Sequence, residues 1–388
     1  MECDILVIGA GPAGLAFAQS LEGAGLSVTL IDAQPRAALE TPAFDGREIA
    51  LTHRSVATLK ALGAWERLEP LASPLREARV LNGASSFALS FSPGADGPDR
   101  LGWLVPNHEI RAALFDRAIG GGDAELLTGR RVARLERGRD RYDVELDDGT
   151  RRRARLLVGA DSRFSWTRDA LGIPAAIHRL GKTMFVCRVA HERPHDGVAL
   201  EWFDHHQTVA MLPLDGNRSG AVLTLPGAEI DRLMAIDDAA LGEELTRRTQ
   251  ARLGTLEVVG SRHAYPLAVT WSRHFAAPRA ALIGDAAVGM HPVTAHGFNL
   301  GLSGQALLAD AVRAAAARGR DIGGAPVLRA YESAHRRAAW PLWAGTNAIV
   351  RVFTDDAAPM RLVRHAGLRI AAALPPVRSS VRRMLMAG

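Results

Sequence analysis

The run DILVI at residues 4–8 is apolar after its first position and reads as a short buried strand. The glycine-rich GAGPAG follows, then Leu15, Ala18, Leu21 and Ala24 at helical spacing. A turn at Gly25 leads to a second strand, SVTLID, ending at Asp32. Strand, helix and strand within about 30 residues make a βαβ unit. Much later, PRAALI (278–283) reads as another buried strand, and a helix begins after Gly297 with Asn299 as its capping candidate. Between these ends the pattern changes. REARVLN (76–82), KTMFVCRVA (182–190), GVALEWF (197–203), QTVAMLPL (207–214) and SGAVLTLP (219–226) carry alternation and turn signals, which predict a mostly antiparallel sheet. HAYPLAVTW (263–271) leads back out of it, and residues 45–68 read as a loop followed by a helix.

Gly9, Gly11 and Gly14 stand in GxGxxG spacing, with Ala13 between the last two. Gly9 allows the tight turn, Gly11 lets a pyrophosphate approach the backbone, and Gly14 lets helix and strand pack closely. The helix N-terminus offers free amides and a positive dipole end to phosphates. Asp32, at the end of the second strand, is placed to accept from ribose hydroxyls. The fingerprint alone does not separate NAD from FAD. A flavin disulfide reductase would carry a second fingerprint and a redox CxxC, and a simple NAD dehydrogenase would continue with βαβ units; this chain does neither. The N-terminal site therefore reads as holding one end of a long cofactor.

The other end is sought in ALIGDAAVGMHPVTAHGFNLGLSGQ, residues 281–305. Asp285 sits at a strand's C-terminal end, where α/β sheets bind ligands, and can accept from the polyol chain of a flavin. Pro292 fixes a turn. The helix after Gly297 would aim its amides at the pyrimidine edge of the ring, which is anionic when reduced.

Hydrophobic content of 47% and charged content of 23% are ordinary for a soluble globular chain. No apolar run reaches the roughly 18 residues of a membrane span. No basic region precedes the first apolar run, so no signal peptide is read. Cys3 and Cys187 are far apart and fit no metal or CxxC spacing, which suits a reduced, cytoplasmic protein with no metal site. Net charge is +5; of 47 basic residues only Lys60 and Lys182 are lysines, and no run interleaves basic residues with aromatics. Nucleic acid is not expected as a partner. Arg151, Arg152, Arg153 and Arg155, after the turn-like Asp148-Gly149, read as a solvated hairpin strand.

GxGxxG near the N-terminus, a central GAD before an arginine, and a late GDAA…P…GxNLG together resemble the FAD-dependent aromatic hydroxylases, the single-component flavoprotein monooxygenases. The resemblance spans about residues 4–345. DGREIALTHRSV, LVPN at 104–107 and GMHP…GFNLG look like the ubiquinone-biosynthesis branch (UbiH, UbiF and UbiM types), closest to the UbiM type. The fold implied is α/β: a Rossmann-like FAD-binding domain of the para-hydroxybenzoate-hydroxylase (GR2) kind, with an inserted, mostly antiparallel substrate domain and a C-terminal helical tail. The expected boundaries are 1–75, 100–175 and 265–345 for the FAD-binding domain, 76–99 and 176–264 for the substrate domain, and 346–388 for the tail.

The resemblance also implies residue roles. Arg47 touches the cofactor near its phosphates and ring, and Arg111 contacts it from the other side. Asp285 holds the ribityl chain. Pro292, Gly297, Asn299 and Leu300 form the loop at the ring. Gly159, Ala160, Asp161, Ser162, Ser165 and Arg168 form the central motif, assigned to flavin and NAD(P)H handling. The implied reaction uses NAD(P)H and O2. A flavin C4a-hydroperoxide transfers one oxygen atom to a polyprenylated phenol or quinol, for example at C5 of 5-demethoxyubiquinol.

Three positions depart from the family pattern. Ser162 replaces the second glycine of the central motif. Val288 stands where many relatives have histidine. Ala295-His296-Gly297 replaces Gly-Gln-Gly beside the ring. His296 is the candidate to donate to the hydroperoxide or face the substrate; the other reading is a loop histidine in solvent. Tyr265 and Pro266 are expected in the pocket, with interdomain packing as the plainer reading of Tyr265.

After Asp356 the chain has no acid, while Arg361, Arg364, Arg369, Arg378, Arg382 and Arg383 interleave with Leu362, Val363, Ala366, Ile370 and Leu374. Such a basic amphipathic helix suits peripheral binding at the inner membrane face or a ubiquinone-biosynthesis complex; packing on the core with a solvated basic face is the plainer alternative. Two other functions stay open: a flavin monooxygenase for a soluble phenol or secondary metabolite, and a non-catalytic FAD-fold prenyl-binding protein.

Overall fold

The computed structural model describes residues 1–354 except 84, 86, 95, 96, 205 and 206, together with Arg369 and Met386. The basic tail helix expected after Asp356 lies outside the described residues.

Two eight-stranded sheets build the molecule. The first runs in the order Ala276–Ala277, Ala280–Leu282, Arg151–Gly159, Glu2–Ile8, Val28–Asp32, Glu125–Thr128. Its central pairs are parallel, with Ile5 opposite both Val28 and Leu156. Parallel strands are covered on both faces, and Ile5, Leu6 and Val7 are all 0% exposed. The helices Pro12–Ser20 and Gly297–Ala316 pack on each other beside this sheet, joining the two ends of the chain. The arginine-rich strand Arg151–Gly159 pairs antiparallel with Tyr142–Leu146, as a hairpin requires. Arg151, Arg153 and Arg155 are exposed. Arg152 is not: it is buried and donates to Glu125 at 3.2 Å, so the fully solvated reading fails at that position.

The second sheet is antiparallel except where Val198–Asp204 pairs parallel with Glu77–Asn82. Its spine is two 17-residue strands, Ala175–His191 and Leu256–Ser272. The strand Val288–Gly289 pairs with the end of the latter, so the segment after Asp285 hangs on the second sheet. One face packs under the helices Gly227–Ala235 and Asp238–Arg248, with Phe185, Trp202, Val209, Met211 and Leu223 buried there. The other face looks into the cavity described below.

A three-stranded sheet of Glu48–Leu51, Gly102–Pro106 and Ser73–Leu75 closes one side. It corrects the reading of residues 45–68. The segment expected as a loop contains a strand, Glu48–Leu51, and the single helix expected after it is two, His53–Ala61 and Trp65–Leu68. The strand pairs with residues more than fifty positions away, a partner that local pattern does not reveal.

Candidate active site

The glycine turn is built as its spacing requires. Gly9 has φ +107, and a Cβ there would lie 2.4 Å from the Ala160 carbonyl oxygen. A Cβ on Gly14 would lie 2.0 Å from the Gly9 oxygen. Gly11 differs: its φ of −74 suits any residue, and a Cβ would meet nothing within 4 Å. The bare backbone at Gly11 therefore faces open space. The helix behind it starts at Pro12 with no side-chain cap and no acid in its first turn, so its amides are open to an anion. Asp32 accepts from the amides of Ala10 and Gln34, each at 2.8 Å, which fixes its carboxylate at the rim.

A cavity of about 800 Å³ runs from this turn to the second sheet. Gly9, Gly11, Ala13, Asp32, Arg47, Arg111, Asp161, Tyr265, Asp285, Pro292 and Gly297 all line it. Residues from positions 9 to 302 thus meet on one wall system.

Arg111 is half-buried and has no hydrogen-bond or ion-pair partner among the described residues; burial pulls its guanidinium below the ordinary value. Arg47 donates to Asp45 at 2.6 Å and lies over the Tyr265 ring at 5.2 Å, while the Tyr265 hydroxyl donates to the Asp45 carbonyl at 2.7 Å. Burial works against the Asp45 charge, but Arg47 and Asn107 hold its carboxyl below the usual range. Burial pushes the Tyr265 hydroxyl up. Tyr265 lies on the cavity wall and ties the second sheet to the segment that precedes Glu48–Leu51.

The central motif is mostly internal bracing. The Asp161 carboxylate accepts from the Ser165 hydroxyl at 2.5 Å and from the Thr167 amide and hydroxyl at 2.9 Å, bracing the start of the helix Trp166–Ala170, which Ser165 caps by accepting from the Arg168 amide at 2.9 Å. Arg168 is 1% exposed, donates to the Arg163 carbonyl at 3.0 Å and is not on the cavity wall. Ser162 has φ +108, a glycine-type backbone carried by a serine.

Against the glycine turn, Gly284 has φ +58, and a Cβ on it would lie 2.9 Å from Cβ of Ala13. Asp285 follows and is bound by Arg163. Pro292 begins a tight turn, Pro292–Thr294, that closes on Ala295 at φ +53. His291 is buried there and accepts from the Val293 amide; desolvation pulls its imidazole down to about 4, so it is neutral at pH 7. The helix Gly297–Ala316 opens with no acid in its first turn and no side-chain cap.

Three expectations fail here. Asn299 is not the cap; His296 holds that position and Asn299 lies inside the helix. Its amide oxygen accepts from the Thr52 amide at 3.1 Å, and its nitrogen donates to the carbonyls of Ala50 and Ala295. Asn299 and Leu300 are buried and lie off the cavity wall, which takes Gly297, Phe298 and Gly301, one face of the helix. His296 is neither in solvent nor on the wall: it is 3% exposed and bonded through Nδ1 to the Thr294 carbonyl. Val288 is 2% exposed, packed in the core.

Sequence reasoning passed over four wall residues. Arg163 is one. Glu48 is another: its side chain is 1% exposed, Arg188 donates to its Oε1 at 2.6 and 2.9 Å, and its Oε2 has no partner. Burial raises the Glu48 carboxyl despite Arg188. Glu201 and His291 complete the set. The one available signal was two-residue alternation, which puts Glu201 on the same strand face as its cavity-lining neighbours.

Among the described residues, no group of three or more His, Cys, Asp or Glu could hold a metal, and no helix is long and apolar enough to cross a membrane.

A glycine-fingerprint βαβ unit continuous with a sheet-walled chamber defines a flavoprotein site. Open amides, an unpartnered Arg111 and clear space at Gly11 fit the pyrophosphate of FAD, and Asp285 fits its polyol. The chain belongs to the FAD binding domain family, whose model matches residues 2–346. It is 42% identical to ubiquinone hydroxylase UbiM of Neisseria meningitidis serogroup C, over 99% of this chain and 85% of that protein. It is 36% identical to ubiquinone hydroxylase UbiL of Rhodospirillum rubrum, over 99% and 89% of the two chains. Its fold is that of P. aeruginosa PqsL solved with 2-aminobenzoylacetate, at TM-score 0.77 and 21% identity, covering 95% of this chain and all of that one.

Proposed function

We propose that the protein is an FAD- and NAD(P)H-dependent monooxygenase that hydroxylates the aromatic ring of a polyprenylated phenol or quinol in ubiquinone biosynthesis. The observation that carries this reading is the continuity of one cavity from the Gly9–Gly14 turn to the second sheet. One end suits a dinucleotide. The other end, walled by Met184, Val186, Leu212 and Val222, suits an apolar ring. The two ubiquinone hydroxylases reported above support the choice of substrate.

Bound FAD would supply the redox chemistry that links NAD(P)H and O2 to hydroxylation of the ring. The chain's own residues bind, orient and exclude water. The Pro12–Ser20 amides and Arg111 take the pyrophosphate, Asp32 a ribose, and Asp285 the ribityl hydroxyls. The first turn of Gly297–Ala316, uncapped and without an acid, would hold the flavin ring by its open amides. Arg47 and Tyr265 close the chamber beside it. Water exclusion matters because a wet site would release peroxide instead of product.

The test is turnover by the FAD-loaded protein with a short-chain prenylated phenol or demethoxyquinol, NAD(P)H and O2. The expected product is heavier by one oxygen atom, with near-equal consumption of nucleotide. Nucleotide oxidation that yields only peroxide with every prenylated phenol and quinol would overturn the substrate assignment.

A further inference from the structure

The chamber wall formed by the second sheet follows a strand's two-residue period. Alternate residues enter the core under the helices, and Met184, Val186, Ala210, Leu212 and Val222 face the cavity. Glu201 falls on the cavity face. Its backbone partners are Val80 and Ala210, and the row continues through Val222 to Val186. An acid thus stands beside three apolar positions, Ala210, Val222 and Val186, before the row reaches His263. Among the described residues it has no hydrogen-bond or ion-pair partner. The side chain is partly buried and borders the cavity, and no partner within the protein accounts for a carboxyl there. Thr208 lies one diagonal step away on the neighbouring strand, and Thr224, its partner, one strand further along the same wall.

Resting on the phenolic substrate proposed above, we propose that Glu201 is the catalytic residue that takes the proton of the substrate's ring hydroxyl. The phenolic O–H bond breaks, its electron pair stays on the ring oxygen, and the proton forms a new O–H bond on the Glu201 carboxylate. The ring becomes a phenolate, the form that best accepts an electrophilic oxygen. No oxidant beyond the reaction's own is required.

The environment matches the two acids to each other. A carboxyl at its ordinary 4.5 would be a poor base for a phenol that ionises near 10; burial pushes Glu201 up to about 8, which removes most of that gap. The strands on either side present Val80 and Ala210 to it, and neither titrates. The ionisable groups elsewhere on the chamber wall are Glu48 held by Arg188, Arg47 held by Asp45, Asp285 held by Arg163, Asp161 bonded to Ser165 and Thr167, Asp32 bonded to the Ala10 and Gln34 amides, Arg111, Tyr265, and His291, neutral above about 4. Comparison with a Glu201→Gln variant isolates the carboxyl from all of them.

The experiment uses FAD-loaded enzyme and, as probe, a phenol bearing one isoprene unit. Bound probe is read by its phenolate difference band across pH, and turnover by the pH profile of kcat/KM. The wild type is expected to show the band and a rate limb rising to a plateau above about pH 8. Glu201→Gln, with FAD retained, is expected to lose both, with kcat lower by about 100-fold and KM changed far less. If Gln at this position prevents folding, Glu201→Asp is read in the same assay, with at least about 10-fold lower kcat and a displaced limb expected. An unchanged band and limb in either folded variant overturns the proposal, as does a wild type that does not bind the probe. A wild type with a Glu201-dependent band but no oxygenated product leaves the proposal standing and removes the hydroxylase reading.

Discussion

Arg163 donates to one oxygen of Asp285 through Nε at 3.1 Å and Nη2 at 2.7 Å, and holds the Ala268 carbonyl through Nη1 at 2.8 Å. Asp285 ends the first sheet, and Ala268 lies on the spine of the second. The acid singled out for the cofactor polyol is thus oriented and charge-balanced before any ligand arrives. Its other oxygen is left to accept hydroxyl protons.

Asp285→Ala is expected to weaken FAD binding by about 10- to 100-fold, the size of one hydrogen bond to a charged acceptor. Flavin fluorescence titration of the apoprotein measures this. A variant that purifies fully loaded and binds as tightly as the wild type would show that Asp285 does not hold the cofactor.

Gly9 and Gly11 separate folding from binding. Gly9→Ala puts a methyl 2.4 Å from a carbonyl oxygen in a positive-φ turn, and should cost on the order of 2–4 kcal/mol in urea unfolding. Gly11→Ala places its methyl with no protein atom within 4 Å, so the apoprotein should keep its stability while FAD occupancy falls. Equal losses of stability in both variants would contradict the assignment of the space beside Gly11 to a ligand.

Ser162 carries φ +108 without the freedom of glycine. Ser162→Gly should remove 1–3 kcal/mol of backbone strain and return under 1 kcal/mol through the looser unfolded chain, a net gain of about 1 kcal/mol. Chemical denaturation reads it directly. A destabilised variant would mean that the serine hydroxyl holds the turn.

His335 is 0% exposed, bonded at Nδ1 to Tyr331, and pulled by burial to about 4 from an ordinary 6.5. The unfolded chain therefore binds the proton first as pH falls. The contribution of this group to stability should be flat above about 6.5 and decline toward pH 4, by roughly 3 kcal/mol, while Glu201, raised to about 8, contributes the opposite slope between about 4.5 and 8. His291 adds to the window of His335. In His335→Gln the slope of unfolding free energy against pH should shrink by about one proton between about 4 and 6.5. An unchanged slope would show that His335 stays charged in the folded protein.

The parts legible in the sequence were those whose chemistry is local. GAGPAG needs only its neighbours to form a phosphate turn, and Asp285 needs only the strand before it. The misreadings share one cause, contact at long range. Asn299 looks like a cap by residue type, yet its amide is used by Ala50 and Thr52, some 250 positions away. Glu48 reads as a loop acid until Arg188 lies beside it. Glu201 in GVALEWF looks like the solvent side of a half-buried strand. Period two reports that two faces differ; it does not report that the second face borders a chamber.

The most direct test of the account is turnover under isotopically heavy O2 in ordinary water, with a prenylated phenol or quinol and NAD(P)H. One heavy oxygen atom in the ring of the product is the predicted result. A product whose new oxygen comes from water, or an unaltered ring beside heavy peroxide alone, would contradict it.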